Sequence, residues 1–239
     1  MSDFVEQIIE AHGGLQRWIG LQQVQATIVT GGALWGLKGL HQDATPRRMS
    51  VALHEQWASV SPYGAPDRRT DFTPQRIAIE TLDGQVVAQR ANPRESFAGH
   101  AMDTPWDPLQ RAYFNGYAMW TYLTTPFFLL WPGVSVQEIE PWHSPSGDWR
   151  RLRVRFPRSI ATHSEVQDFY FDRDLLLRRH DYSVEVAGGF AAAQYVHDYA
   201  EADGIRFPST RRAFRRGPDN QALEDQLLVS IDLSELQFR

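Results

Sequence analysis

The sequence predicts an α+β fold built on one large, curved antiparallel sheet. Two observations lead to this prediction. Apolar residues recur at helical spacing in only two stretches, one at the N-terminus and one near residues 107–122. The rest of the chain consists of short alternating segments separated by turn residues, which is typical of an antiparallel meander rather than of βαβ units.

Residues 2–20 are predicted to be helical, and Ser2 can act as the N-cap. His12-Gly13-Gly14 ends the first helix, and Leu15–Ile19 is predicted to form a second short turn of helix. Strand-like segments follow from Val24 onward and include "ALWGLKGL", whose glycines indicate bends or bulges. The pair Asp83-Gly84 lies between two alternating segments and therefore predicts a hairpin.

The second predicted helical region is an insertion at about residues 107–131. Residues 91–106 before it have no apolar period and predict a loop. Asp107 can cap the helix, and Pro108 fits its first position. Strands resume after the insertion, and the chain contains neither a repeat nor a linker, so we expect a single domain over residues 1–239.

The composition excludes several classes of function. The net charge of -5 over 239 residues disfavours nucleic acid as a partner. The absence of cysteine excludes disulfides and thiol chemistry. No apolar stretch is long enough for a membrane span, and the N-terminus lacks a signal-peptide pattern, so we expect a cytoplasmic protein. No motif indicates a cofactor, and the oligomeric state stays open.

The stretch "RRHDYSVEVAGGFAAAQYVHDY", residues 178–199, reads as two strands joined at Gly188-Gly189. A two-residue turn at these glycines fixes the register, whereas a three-residue turn that includes Phe190 would shift it by one. The predicted pairs are His180 with His197, Tyr182 with Tyr195, and Arg179 with Asp198.

The preceding turn extends this pattern to a third strand. If Asp172 lies opposite Leu175, Gln167 lies opposite His180 and Glu165 lies opposite Tyr182. Phe169, Phe171 and Tyr199 then flank two polar rows on the inner face.

Such a polar inner face needs hydrogen-bond partners, because burying an unpaired polar group costs roughly 1–3 kcal/mol. Three interpretations stay open: a structural His–Tyr network, a ligand-lined cavity and a metal site. Two histidines and a carboxylate could bind Zn²⁺ or Fe²⁺. Since no His-x-His or His-x-x-x-His spacing accompanies them, we predict no metal site.

The inserted region is unusually aromatic, with Trp120 and Phe128 among its residues. These side chains either plug the concave side of the sheet as core residues or form a lid over a flat or lipid-like ligand.

Three segments resemble bacterial outer-membrane lipoprotein-sorting proteins of the LolA/LolB-like family: "EAHGGLQRW", "FYFDRDLLLRRHDYSVEV" and "AAAQYVHDYAEADGIRFPSTRRA". The resemblance implies an incomplete antiparallel barrel wrapped around lid or plug helices, with an apolar cavity that takes acyl chains in the carriers. One relative of that fold performs a rearrangement without a cofactor. Because one fold can host unrelated functions, two hypotheses follow.

The first hypothesis is a cofactor-independent enzyme of the isomerase, cyclase or lyase type that acts on a small hydrophobic or aromatic molecule. His180 or His197 would be the general acid or base, and Glu165 would set the histidine tautomer. Tyr182 and Tyr195 would orient the substrate. The remaining predicted ligand-binding residues are Gln167, Tyr199, Phe169, Trp120 and Phe128. The second hypothesis is a non-catalytic carrier of a lipid or hydrophobic metabolite.

Overall fold

A computed structural model describes residues 3–144 and 147–239. The helices are α1 (Asp3–Ala11), α2 (Leu15–Ile19), α3 (Leu34–Leu37) and α4 (Pro108–Thr124). The strands are β1 (Gln23–Gly31), β2 (Arg47–Ala52), β3 (Ala58–Ser61), β4 (Arg68–Thr73), β5 (Arg76–Thr81), β6 (Val86–Ala91), β7 (Ser135–Ser144), β8 (Gly147–Arg155), β9 (Val166–Phe171), β10 (Leu177–Val184), β11 (Phe190–Val196), β12 (Tyr199–Ala202), β13 (Ile205–Pro208), β14 (Thr210–Arg216) and β15 (Ala222–Phe238). Short 3-10 helices cover Pro93–Phe97, Phe127–Leu130 and Glu185–Ala187.

The fold is dominated by a 13-stranded antiparallel sheet in the order β6-β5-β4-β3-β2-β1-β15-β14-β11-β10-β9-β8-β7. Two meanders, β1 to β6 and β7 to β11, form its halves. The long C-terminal strand β15 joins them by pairing with β1 on one side and β14 on the other. Strands β6 and β7 are the two edges, so the described strands form an open sheet and not a closed barrel. The predicted large, curved antiparallel sheet is confirmed.

Helix α4 packs against the concave side of strands β2 to β6. Asp107 caps it as predicted: its carboxylate accepts from the Gln110 backbone N–H at 2.8 Å, and the Gln110 side chain accepts from the Asp107 backbone N–H at 2.9 Å. Almost every residue of α4 after Arg111 is buried, which makes it a central plug. Gly116 allows the close approach, since a Cβ there would lie 2.3 Å from Cγ of Phe72 on β4.

The N-terminal helical prediction is confirmed, since α1 and α2 are separated at Gly13-Gly14 as expected. The predicted cap Ser2 lies outside the described residues. Phe4, whose ring lies 6.0 Å edge-on from that of Phe171, belongs to the buried face of α1. One local prediction is wrong, since the segment "ALWGLKGL" contains the short helix α3 rather than a strand. Residues 91–106 connect β6 to α4 as a loop that includes the 3-10 turn Pro93–Phe97.

The predicted register of the 178–199 hairpin is also wrong. His180 pairs with Gln194, Tyr182 with Ala192 and Arg179 with Tyr195. Five residues, 185–189, connect the strands, because Val186 and Ala187 turn inward and are buried before the chain reverses at two glycines with positive φ. The shift by an odd number of residues places Tyr195 and His197 on the face opposite to His180 and Tyr182.

The register predicted for the preceding turn is wrong as well. His180 lies opposite Phe169 and Asp181 lies opposite Asp168, with an irregularity between Leu177 and Arg179. The turn shifts the register by one position and the bulge by another, so the partner of His180 moves by two and Gln167 stays on the same face as His180. Glu165 lies just before β9, which begins at Val166.

Candidate functional site

A buried hydrogen-bonded network lies where α4 meets the concave face of β10. Its central residue is His163, in the connection between β8 and β9. The Tyr122 hydroxyl lies 2.7 Å from His163 Nε2, and the Tyr117 hydroxyl lies 3.3 Å from Nδ1. Both tyrosines come from α4, so the plug helix and the 156–165 connection hold the imidazole between them.

Tyr182 extends this network along β10. Its ring stacks on His163 with centroids 4.0 Å apart, and its hydroxyl lies 3.2 Å from that of Tyr122. The Gln194 side-chain amide donates to the Tyr182 hydroxyl at 3.5 Å from the neighbouring strand β11.

His180 forms a second cluster beside the first. Its Nε2 lies 2.6 Å from Oε1 of Gln167, and its ring stacks on Phe169 at 4.1 Å. The Gln167 amide in turn donates to the Thr162 hydroxyl at 2.7 Å and to the Ser164 carbonyl at 2.8 Å. The predicted neighbours Gln167, His180 and Phe169 are therefore in contact.

Burial determines the charge state of these groups. Desolvation lowers the pKa of His163 to about 3, with the Arg94 guanidinium adding to the effect. Desolvation also lowers the pKa of His180 well below its usual range, with His163 and Arg211 as smaller causes. It raises the pKa of the Tyr122 and Tyr182 hydroxyls. The network is consequently neutral near pH 7, and it is suited to hydrogen bonding rather than to proton exchange with a substrate.

Arg211 is a buried cation next to this network, with 1% of its surface exposed. Its guanidinium donates to Gln194 Oε1 at 2.8 Å and to the Tyr122 carbonyl at 3.2 Å, and lies 4.6 Å from the centre of the Tyr122 ring. The Tyr122 carbonyl belongs to the last turn of α4, where the helix dipole favours a positive charge. None of the described carboxylates forms an ion pair with Arg211.

An apolar cavity of about 390 Å³ opens between α4 and strands β1, β2, β3 and β15. The charged or polar residues of its lining include His41, Asp43, Arg47, Arg111 and Asn115, of which His41 and Asp43 are exposed. Its apolar lining includes Ile28, Trp35, Leu40, Met49, Val60, Phe114, Ala118, Met119, Val229 and Ile231.

Tyr122 and Tyr182 connect the cavity to the network, because both line the cavity and both are nearly fully buried. Of the residues predicted from sequence, Tyr182 alone is in the lining of this cavity.

Several predicted site residues lie away from this cluster. Glu165 is exposed and forms an ion pair with Arg155. His197 is exposed at the end of β11. Tyr199 is on β12, where its hydroxyl donates to the Leu177 carbonyl at 2.9 Å.

Tyr195 faces a polar cluster on the outer side of the sheet. Its hydroxyl lies 3.5 Å from the Arg179 guanidinium. This guanidinium forms a bidentate ion pair with the Asp181 carboxylate at 2.7 and 2.8 Å. Arg216 donates to the same carboxylate at 2.9 Å. The predicted pair of Arg179 with Asp198 is thus replaced by a pair within β10.

The aromatic residues predicted for the insertion belong to the core. Trp120 donates from its indole nitrogen to the Glu55 carbonyl at 2.9 Å and packs edge-on against Trp131. Phe128 packs against Phe156 and Phe169. Neither residue lines the 390 Å³ cavity, which favours the plug interpretation over the lid.

Sequence reasoning missed His163 and Arg211. His163 lies in "ATHSEV", an aperiodic connection, so no strand pattern indicates which way its side chain points. Arg211 and Arg212 are adjacent in the basic strand β14, and their shared residue type does not indicate which of them points inward. Within residues 3–144 and 147–239, no three histidine or carboxylate side chains are grouped closely enough to hold a metal ion.

Comparison with solved structures finds the same fold elsewhere. A LolA superfamily protein from Nitrosomonas europaea matches with a TM-score of 0.53 at 12% sequence identity, over 98% of this chain and 92% of that one. A DUF1329 family protein from Desulfovibrio piger matches with a TM-score of 0.53 at 10% identity, over 98% and 91% of the two chains.

A third match is a domain from Vibrio parahaemolyticus, provisionally described as an outer membrane lipoprotein-sorting protein. Its TM-score is 0.53 at 10% identity, over 99% of this chain and 91% of that one. No protein-family model and no curated protein matches the sequence.

These likenesses show that the chain has the LolA-like fold, as the sequence resemblance implied. In the part of the chain that the structure describes, no helix is both long and apolar enough to cross a membrane.

Proposed function

We propose that this protein binds a small hydrophobic molecule in the cavity between α4 and the sheet, and that it acts as a carrier. The observation that supports this function is the cavity itself. Its volume of about 390 Å³ lies within the range of small-molecule sites, and its walls are largely apolar with a few polar groups. Apolar surface of this kind, once filled, contributes about 25 cal/mol per Å² removed from water.

The position of the cavity in the fold adds a second argument. In proteins with a LolA-like fold the concave side of the sheet faces inserted helices, and the name of the Vibrio match refers to lipoprotein sorting. Here α4 packs against the sheet, and Ala118 and Met119 of α4 line the cavity together with residues of β2 and β15. A ligand there would contact both halves of the sheet.

The charge state of the network favours binding over catalysis. The low pKa of His163 makes its imidazole a weak base, and His180 is shielded from the cavity by Tyr182. Acid–base catalysis by His180 or His197 stays a prediction from the sequence, testable by turnover assays on His180→Ala and His197→Ala once a substrate is known.

The carrier function is tested by titrating the protein with Nile red and following its fluorescence. We expect saturable binding of one molecule per chain. Ala118→Trp, which fills the cavity from α4, should weaken binding by at least about tenfold. Phe128→Leu changes a core residue that does not line the cavity, so this variant should bind Nile red like wild type. Urea unfolding of both variants checks that they fold. Binding that never saturates, or equal affinity in Ala118→Trp, would refute the proposal.

A further inference from the structure

The buried network contains one more hydrogen-bond donor than it can satisfy. Tyr117, His163, Tyr122 and Tyr182 form an unbranched chain with three contacts, at 3.3, 2.7 and 3.2 Å. A neutral imidazole carries one N–H and each tyrosine carries one O–H, so four donors share three contacts.

Gln194 cannot accept the surplus proton. Arg211 can only donate, and its contact of 2.8 Å with Gln194 Oε1 fixes which way the amide points. The amide nitrogen therefore faces Tyr182 and supplies a further donor at 3.5 Å. Arg211 thus sets the direction of the hydrogen bonds at this end of the chain.

The tautomer of His163 decides where the surplus proton lies. With the proton on Nδ1, the imidazole donates to Tyr117, and the Tyr117 hydroxyl keeps an unpaired proton. Tyr117 is fully buried, and among residues 3–144 and 147–239 its hydroxyl has no hydrogen-bond partner besides His163, so this arrangement costs roughly 1–3 kcal/mol.

With the proton on Nε2, the Tyr117 hydroxyl donates to Nδ1 and the imidazole donates to Tyr122. The surplus proton then belongs to the Tyr122–Tyr182 pair, and both residues line the cavity. A molecule in the cavity can accept this proton, so the cost of an unpaired donor is removed when the ligand binds.

We propose that His163 is the Nε2–H tautomer and that the Tyr122–Tyr182 pair therefore presents one O–H donor to the cavity. The ligand that fits this donor is an apolar molecule with an uncharged acceptor oxygen, such as a carbonyl, at its buried end. This inference rests on the proposed binding function. The Arg211 charge, 4.6 Å from the Tyr122 ring, favours an acceptor over a donor at this position. An apolar lining disfavours a full negative charge on the ligand.

The tautomer is measured first, without any ligand. Proton–nitrogen NMR of the ring nitrogens distinguishes the two forms, and a His163→Gln spectrum assigns the signals. We expect the proton on Nε2. A proton on Nδ1 would overturn the inference whatever the variants below show.

The ligand class is tested with a matched pair of probes, cyclooctanone and cyclooctane, that compete with Nile red. The ratio of their affinities is compared between wild type and the Tyr122→Phe/Tyr182→Phe double variant, so differences in water solubility cancel. We expect the preference for the ketone to fall about fivefold in the double variant, which corresponds to one neutral hydrogen bond. Tyr199→Phe, which removes a partly buried hydroxyl outside the network and outside the cavity lining, should keep the wild-type ratio.

The possible results separate the two proposals. If both probes bind but the double variant keeps the wild-type ratio, the inference fails and the binding function stands. An equal loss of ketone preference in Tyr199→Phe would also refute it. If neither the probes nor Nile red binds, both proposals fail. If the double variant does not fold, the tautomer measurement decides.

Discussion

Replacing Gly116 with alanine should destabilise the protein, although the same change stabilises most helices. Gly116 lies inside α4, where glycine costs about 1 kcal/mol relative to alanine. A Cβ at this position would lie 2.3 Å from Cγ, 2.6 Å from Cβ and 2.8 Å from Cδ2 of Phe72. Ordinary carbon contacts are about 3.5–4.0 Å, so α4 and β4 would have to separate by roughly 1 Å.

The magnitude follows from these opposing effects. Phe72 is fully buried, and its Cβ is fixed by the backbone of β4, so rotation of the ring alone does not relieve the contact. Overpacking of this kind costs about 1–3 kcal/mol and can cost more. Because the contacts are as short as 2.3 Å, we take the upper part of this range, about 2–3 kcal/mol, and subtract the helix-propensity gain of about 1 kcal/mol. We therefore expect Gly116→Ala to lower the free energy of unfolding by about 1–2 kcal/mol. Each kcal/mol corresponds to a fall in Tm of about 3 °C for a chain of this length.

Urea unfolding of the variant tests this reasoning, and Gly36→Ala is the matched control. Gly36 lies in α3, and a Cβ there would have no neighbour within 4 Å. This control should be neutral or stabilising by up to about 1 kcal/mol. Because Phe114 and Ala118 of α4 line the cavity, the displaced helix should also weaken Nile red binding. Equal stabilisation by the two alanine substitutions would refute the argument for close approach.

Two further predictions concern buried charge. Folding lowers the pKa of His163 from 6.5 to about 3. As the pH falls, the imidazole is therefore protonated first in the unfolded chain, and the stability present above pH 6.5 is lost progressively towards pH 3. Urea unfolding between pH 7 and 5 should show a free energy of unfolding that falls as the pH is lowered, and His163→Asn should reduce this slope by up to about 1.4 kcal/mol per pH unit. His197→Asn is the surface control. An unchanged slope in His163→Asn would contradict the lowered pKa of His163. Asp181→Asn should destabilise by about 3 kcal/mol or more, because this buried carboxylate pairs with two guanidinium groups. Glu138→Gln breaks an exposed pair and should cost under about 1 kcal/mol, and similar losses in both variants would count against the buried cluster.

Some elements could be predicted because their signals are local. The cap of α4 follows from Asp107 and Pro108, and the Asp83-Gly84 hairpin follows from its turn residues. The antiparallel sheet follows from alternating segments too close together for crossover helices. The contact of His180 with Gln167 was also predicted, although from a register two positions away from the observed one.

The sequence by itself determined which residues of each strand share a face, because side chains alternate along any strand. Only the tertiary structure decided which strand faces meet. The connection at 185–189 takes its length from the burial of Val186 and Ala187 in the core, and this odd offset separates His197 from His180. The cavity is likewise a tertiary property, since its walls come from α4 and from strands at opposite ends of the chain, and their distance is set by the packing of α4 on Phe72.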